Sequence, residues 1–150
     1  IRDSCMMNGT GQMICLKPMM RQPLYFLREW SVFMIYRTKN ELEKTPIEGC
    51  MGGNGTVWME KLLTGQEEMM GKGRAYVRHT LNPGVSIGIH THEGEMETMV
   101  IVRGKAVHTI NGQKQYLEEG DIIAAQPGDS HGIAQTGDEP LVLIAQVLFA

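Results

Sequence analysis

Aromatic side chains are scarce in this sequence, with three Phe, four Tyr and two Trp among 150 residues. Glycine, at 18, is plentiful, and few aromatics beside many glycines suit short strands joined by tight turns. Cysteine is sparse as well. Cys5, Cys15 and Cys50 are odd in number and follow no zinc or redox spacing, so reduced thiols in a cytoplasmic protein are the expectation. No apolar run approaches the roughly 20 residues that a membrane-crossing helix needs, which argues against a membrane-spanning role. No block of like charge occurs either. The 14 basic and 17 acidic residues leave a net charge of −3, and nucleic-acid binding gains no support. The glycine loop from Gly49 to Gly55 is followed by no Gly-Lys-Ser/Thr, so it is not a phosphate-binding loop. The length is one domain's worth, enough for a single substantial core.

The chemistry is concentrated between Gly84 and Gly104, which reads GVSIGIHTHEGEMETMVIVRG. His90 and His92 alternate with Ile87 and Ile89 in a strand pattern, so both imidazoles point to one face. Glu93, Gly94 and Glu95 break the apolar pattern and read as a turn. Glu97 begins a second apolar run that can fold back opposite the histidines. Two imidazoles and a carboxylate facing one interior are metal-ligand chemistry, suited to a first-row divalent ion with open coordination positions. Glu93 and Glu95 are the alternative carboxylates.

A second stretch, Gly120 to Gln135, reads GDIIAAQPGDSHGIAQ. With it the sequence resembles the cupin family. Gly84, His90, His92, Glu97 and Gly104 fit the first cupin motif without a gap. Gly120, Gly128 and His131 fit the second, while Gln126 and Gln135 stand where that motif has proline and asparagine. The resemblance implies an all-β fold, the cupin double-stranded β-helix, a jelly-roll form of barrel. It further implies that His90, His92, Glu97 and His131 bind one metal inside that barrel. Within the motif Glu97 is the preferred carboxylate, because it alone has six residues between it and Gly104 and starts the apolar run. The metal is expected to be one divalent transition ion: manganese, iron, cobalt, nickel, copper or zinc. The two departures put contacts to a substrate in doubt more than metal binding.

Taken in order, residues 1–33 form an irregular N-terminal arm or extension and residues 34–150 the barrel domain. The first part holds five of the twelve methionines and only two glycines, and the stretch from Ile1 to Gln22 shows neither helical nor strand periodicity. It also lacks the apolar core of a signal peptide. Either the native product starts at Met34, or the arm is real and packs across the barrel or a neighbouring subunit. Leu24 to Tyr36 is strongly apolar and is the candidate for pairing in a homodimer, which small cupins often form. Asn40 to Lys44 reads as one helical turn. Strands are expected at Thr56–Leu63, Ala75–Leu81, Ser86–His92, Glu97–Val102, Ala106–Ile110, Gln115–Leu117, Ile122–Ala125 and Leu141–Phe149. Asn111-Gly112 is a strong hairpin dipeptide.

Other polar residues carry weaker expectations. His108 alternates in phase with Ala106 and Ile110 and reads as a hydrogen-bonded structural histidine, with a place near the metal as the alternative. His79 reads as structural or surface-exposed, Glu95 as a solvated loop residue, and Met96 and Met99 as core packing. Gln126, Gln135 and Gln146 could orient a metal-bound water or satisfy backbone groups. Tyr76 and Arg78 could reach a substrate at the barrel mouth or sit on a solvated strand face.

The functional expectation is a small metal-binding protein acting on or binding a small polar metabolite. An enzyme in this class would be a metal-dependent oxygenase, isomerase or decarboxylase. A ligand-binding or sensing module without catalysis, or a purely structural metal, are the alternatives, because the fold does not fix the reaction.

Overall fold

A computed structural model describes residues 34–150 and the backbone of two short strands, β1 (Cys5–Met7) and β2 (Met13–Cys15). By its contacts the chain divides into Ile1–Tyr36 and Arg37–Ala150. In the first unit β1 and β2 pair antiparallel, with Met6 opposite Ile14. This corrects the expectation that the first residues carry no strand. Three residues are too few for a period of two to show in sequence.

The second unit is β throughout, apart from one 3₁₀ turn at Cys50–Gly52. Its strands are β3 (Lys44–Glu48), β4 (Thr56–Leu63), β5 (Gly73–Leu81), β6 (Ser86–Thr91), β7 (Glu95–Arg103), β8 (Lys105–Ile110), β9 (Gln113–Leu117), β10 (Ile122–Ala125), β11 (Ser130–Thr136) and β12 (Leu141–Phe149). A six-stranded sheet has the order β10-β7-β12-β5-β4-β3, and a four-stranded sheet the order β6-β11-β8-β9. All the pairings are antiparallel. The expected jelly-roll architecture is present.

β12 shows why the core sits where it does. Its apolar sequence places it centrally, between β7 and β5. Leu141, Leu143, Ala145 and Val147 are buried on one face, while Val142, Ile144, Gln146 and Leu148 are half-buried on the other. Val57, Leu81 and Ile101 join that inner face and are fully enclosed. Between β8 and β9, Asn111 and Gly112 both take positive φ, 48° and 79°, as a two-residue hairpin turn of the mirror-image type I requires.

Two elements differ from expectation. The chain from Asn40 to Lys44 makes a turn, closed by Glu41 N–H donating to the Thr38 carbonyl, rather than a helical turn. The Glu41 carboxylate accepts from Thr38 N–H, and from Lys44 the chain runs extended as β3. β3 was hidden because it lies at the sheet edge, is nearly all exposed and carries Pro46, which an edge tolerates. β11 was hidden for the opposite reason. It is a central, largely buried strand, yet its sequence SHGIAQT lacks an apolar alternation.

Candidate metal centre

His90 lies on β6, His92 just beyond its end, Glu97 on β7 and His131 on β11. β6 and β11 belong to one sheet and β7 to the other, so the group spans the space between the two sheets. His131 stands opposite His90 in the β6–β11 register. One ligand atom from each of the four residues lies within 4.8 Å of every other. Glu97 Oε2 is 3.2 Å from His131 Nε2 and 3.5 Å from His92 Nε2. Donors each about 2.1 Å from a shared ion stand about 3.0–3.4 Å apart when adjacent, so these separations fit one metal.

Each imidazole is also held from behind. His90 Nδ1–H donates to the Gly88 carbonyl at 2.9 Å. His92 Nδ1 faces Glu95 Oε2 at 3.4 Å, and Glu95 is gripped in turn by Arg74 Nε at 2.7 and 2.8 Å. His131 Nδ1 meets His108 Nε2 at 3.0 Å. With the three Nδ1 atoms engaged, the Nε2 atoms are left for the centre. Among the described residues, the buried Nε2 atoms of His92 and His131 have no hydrogen-bond partner. Buried polar atoms left unpaired are costly, and a cation at the centre would satisfy both. Outer partners of this kind set ring orientation and tautomer in metal sites.

Burial and neighbouring groups shift two of the four, His90 and Glu97, toward the forms that bind a cation. Burial lowers the His90 pKa, outweighing its bond to Gly88. Burial alone would raise the Glu97 carboxyl, but the close approach of His131 Nε2 and the neighbouring imidazoles win and leave it below its usual value. His108 is pushed down to about 4, chiefly by burial and then by the His131 charge, so it is neutral at physiological pH.

The group lies at a cavity of about 160 Å³, room for roughly five water molecules. Most of the wall is apolar, including Val77, Met99, Ile133 and Val147. Met51 and Cys50 enter from the 3₁₀ turn, which presses against β6 backbone to backbone. A Cβ added at Gly88 would lie 2.1 Å from the Met51 carbonyl oxygen, and one at Gly53 would lie 2.1 Å from that of Ser86. Only glycine permits that approach.

The sequence-derived candidates distribute clearly. His90, His92, Glu97 and His131 come together, whereas Glu93 is exposed. Glu95 is not a solvated loop residue: it opens β7 and is tied to both Arg74 and His92. His108 is a buried hydrogen-bonded histidine, and the group it bonds is His131 of the cluster. His79, read as structural or surface-exposed with no link to the site, instead lines the cavity. Its signal was available, since it alternates in phase with buried Val77 and Leu81. Met99 packs in the core as expected. Gln135 satisfies backbone groups, accepting from Gly84 N–H and donating to the carbonyls of Thr136, Gly137 and Glu139. Arg78 pairs with Glu60 on the neighbouring strand. Tyr76 lies opposite Gln146, on the face of β12 turned away from the core.

A small antiparallel barrel holding three histidines and a glutamate at an inner cavity defines a metal-capable single-barrel class. Within it, the chain belongs to the cupin family. The cupin-domain family model matches residues 77–147. An oxalate-binding protein of Thermotoga maritima is 36% identical over 115 residues, which is 77% of this chain and 93% of that one. The crystal structure of a protein from the same organism, described as a predicted oxalate decarboxylase, superposes with a TM-score of 0.75 at 34% identity, covering 77% of this chain and all of that one. KdgF from a Halomonas species has a TM-score of 0.61 at 16% identity, over 77% of this chain and 96% of its own, a likeness of fold alone. Among the described residues no helix is long and apolar enough to cross a membrane.

Proposed function

We propose that the chain is a metal-dependent binder of small chelating carboxylates, with His90, His92, Glu97 and His131 holding one divalent ion. The observation that carries this reading is the convergence of four donor atoms at the wall of a small, mostly apolar cavity. Four protein ligands leave up to two positions of an octahedral ion for a bidentate ligand. A bound ion would supply Lewis acidity, attracting and polarising carboxylate oxygens. With a single carboxylate among its four donors, the loaded centre keeps net positive charge, while the charge of Arg74 at the cavity is matched by Glu95. The T. maritima relative named for oxalate binding supports the same ligand class.

Binding is placed ahead of turnover for a specific reason. After Glu97, Glu95 is the carboxylate bonded to the ligand set, and Arg74 and His92 engage it, so it is not free to move a proton. Decarboxylation is the second reading, favoured by the likeness to the predicted oxalate decarboxylase. Pairing of two chains through Leu24–Tyr36 belongs to the proposal and rests on the apolar character of that segment, most of which lies outside the described residues.

Calorimetric titration of manganese-loaded and metal-free protein with oxalate tests the reading. Oxalate should bind the loaded protein alone, at about one per chain, with acetate much weaker. Equal binding without metal, or none with it, would sink the proposal. Release of carbon dioxide and formate from oxalate would move the second reading to first place.

A further inference from the structure

His79 is the imidazole at this cavity, among the described residues, that the metal site does not use. It sits on β5 with Val77 and Leu81 on the same inner face, between Met59 of β4 and Leu143 of β12 in register. Its ring lines the cavity, and its Nδ1 is shielded from solvent without a hydrogen-bond partner among the described residues. Burial lowers its pKa while the Glu97 charge pulls the other way, and the outcome is a neutral ring with one donor and one acceptor nitrogen.

The sheet register shows how far this group lies from the metal ligands. Val147 stands opposite both Ala75 and Glu97, so those two residues share a row two strands apart. His79 is four residues further along β5 than Ala75. On a flat sheet that offset is about 13 Å along the strand and about 10 Å across. Curvature shortens the path, and the His79 ring still feels the Glu97 charge, but the two groups stand at different places along one cavity wall. The wall between includes Ala75, Val77, Met99 and Val147, all apolar. A polar group at one end, an apolar wall and a metal-ligand cluster at the other describe an elongated ligand.

Resting on the proposed chelating-carboxylate reading, we infer that His79 is a ligand-binding residue which hydrogen-bonds the remote polar group of an acid longer than oxalate. Such a ligand has a bidentate head, as in a 2-oxo or 2-hydroxy acid, an apolar body, and a hydroxyl or similar group at the far end. The remote group bonds Nε2, the ring nitrogen that is not sealed off, while Nδ1 lies out of its reach. A site built to hydrogen-bond a hydroxyl rejects the analogue without it, because the site's polar atom is then left unpaired.

The test uses a matched pair of probes, phenylpyruvate and its para-hydroxy counterpart, titrated into the manganese-loaded full chain. The hydroxy acid should bind about tenfold tighter, the order that one buried hydrogen bond supplies. In His79→Leu the preference should fall to about one, and in His79→Gln, which keeps a donor and an acceptor, part of it should return. A second readout needs no metal. Because Nδ1 has no protein partner, metal-free His79→Leu should melt no lower than the unaltered protein, whereas a structural role would lower its melting temperature. No preference in the unaltered protein, or one that survives His79→Leu, overturns the inference. If oxalate binds and neither longer acid does, the inference alone fails. If none of the three binds, the chelating-carboxylate reading fails with it.

Discussion

Alanine at position 88 should damage this barrel more than its small size suggests, and the structure gives the scale. The new methyl carbon would start 2.1 Å from the Met51 carbonyl oxygen and 2.8 Å from Gly53 N. Relief needs a movement of roughly 1.4 Å between β6 and the 3₁₀ turn, since non-bonded heavy atoms settle near 3.5 Å. That turn is not free to move. Ser86 N–H donates to the Asn54 carbonyl, Asn54 N–H donates to Ser86 Oγ, and the Asn54 side-chain amide donates to Gly84 O. Overpacking costs about 1–3 kcal/mol and one lost hydrogen bond about 1 kcal/mol, so a loss of about 3 kcal/mol is expected. Against a typical domain stability of about 5–15 kcal/mol this is large, and it corresponds to a melting temperature lower by roughly 10 °C. Urea unfolding of metal-free protein measures it. Gly65→Ala is the control, because its Cβ would meet nothing and its φ is not positive. It should be neutral or stabilising by about 0.5 kcal/mol, through the unfolded chain. Manganese affinity should also fall in Gly88→Ala, because the Gly88 carbonyl holds the His90 ring. A Gly88→Ala protein within about 0.5 kcal/mol of the unaltered one would refute the backbone-contact argument.

Three further outcomes follow from the site and its surroundings. His92→Ala, purified without a chelating column, should lose the roughly one metal per chain that elemental analysis finds in the unaltered protein; full retention would remove His92 from the ligand set. Glu95→Ala should weaken manganese binding about 10- to 100-fold while leaving the four ligands in place, the usual effect of removing a ligand's outer partner, and isothermal titration against the unaltered protein measures it. Glu68 is held down to about 2 by Arg37 and by Thr64 N–H, so its ionised form favours the folded state. With a folded pKa below the unfolded value of 4.5, that contribution is present above about pH 4.5 and lost as pH falls towards 2. Urea midpoints of the unaltered protein and Glu68→Gln should therefore differ at pH 6 and converge near pH 2, and a gap that stays constant with pH would exclude the carboxylate as its source.

Much of the barrel was legible because its strands carry their own signal. β12 and β10 have the bounds that their apolar runs suggest, and Asn111-Gly112 makes the hairpin turn its dipeptide prefers. β3 and β11 failed for different physical reasons. An exposed edge strand needs no apolar face, while a central strand that carries His131 and Gln135 directs polar side chains inward, where His131 Nδ1 and the Gln135 amide find partners inside the protein. At the site the motif spacing pointed to the four residues that converge. The residues behind them were harder to see, because Glu95, His108 and Arg74 matter through partners 3 to 23 residues distant in sequence. His79 was legible from its phase on β5, yet nothing in sequence alone connected that strand to the centre.

Three thioethers, those of Met51, Met59 and Met99, face the same cavity as the metal-ligand cluster. Methionine sulphur is among the groups most readily oxidised in a protein, and the product is polar and bulkier than the parent. These side chains therefore act as a chemical logbook. An ion that activates dioxygen writes sulfoxides onto the walls nearest to it and roughens the apolar surface a ligand must slide along. A redox-silent ion such as zinc would leave the buried Met99 unmarked, whereas the exposed Met51 is open to oxidants in solution as well. Peptide mass mapping of protein taken straight from its cells would read the working metal's chemistry from the walls, even after the ion had been lost in purification.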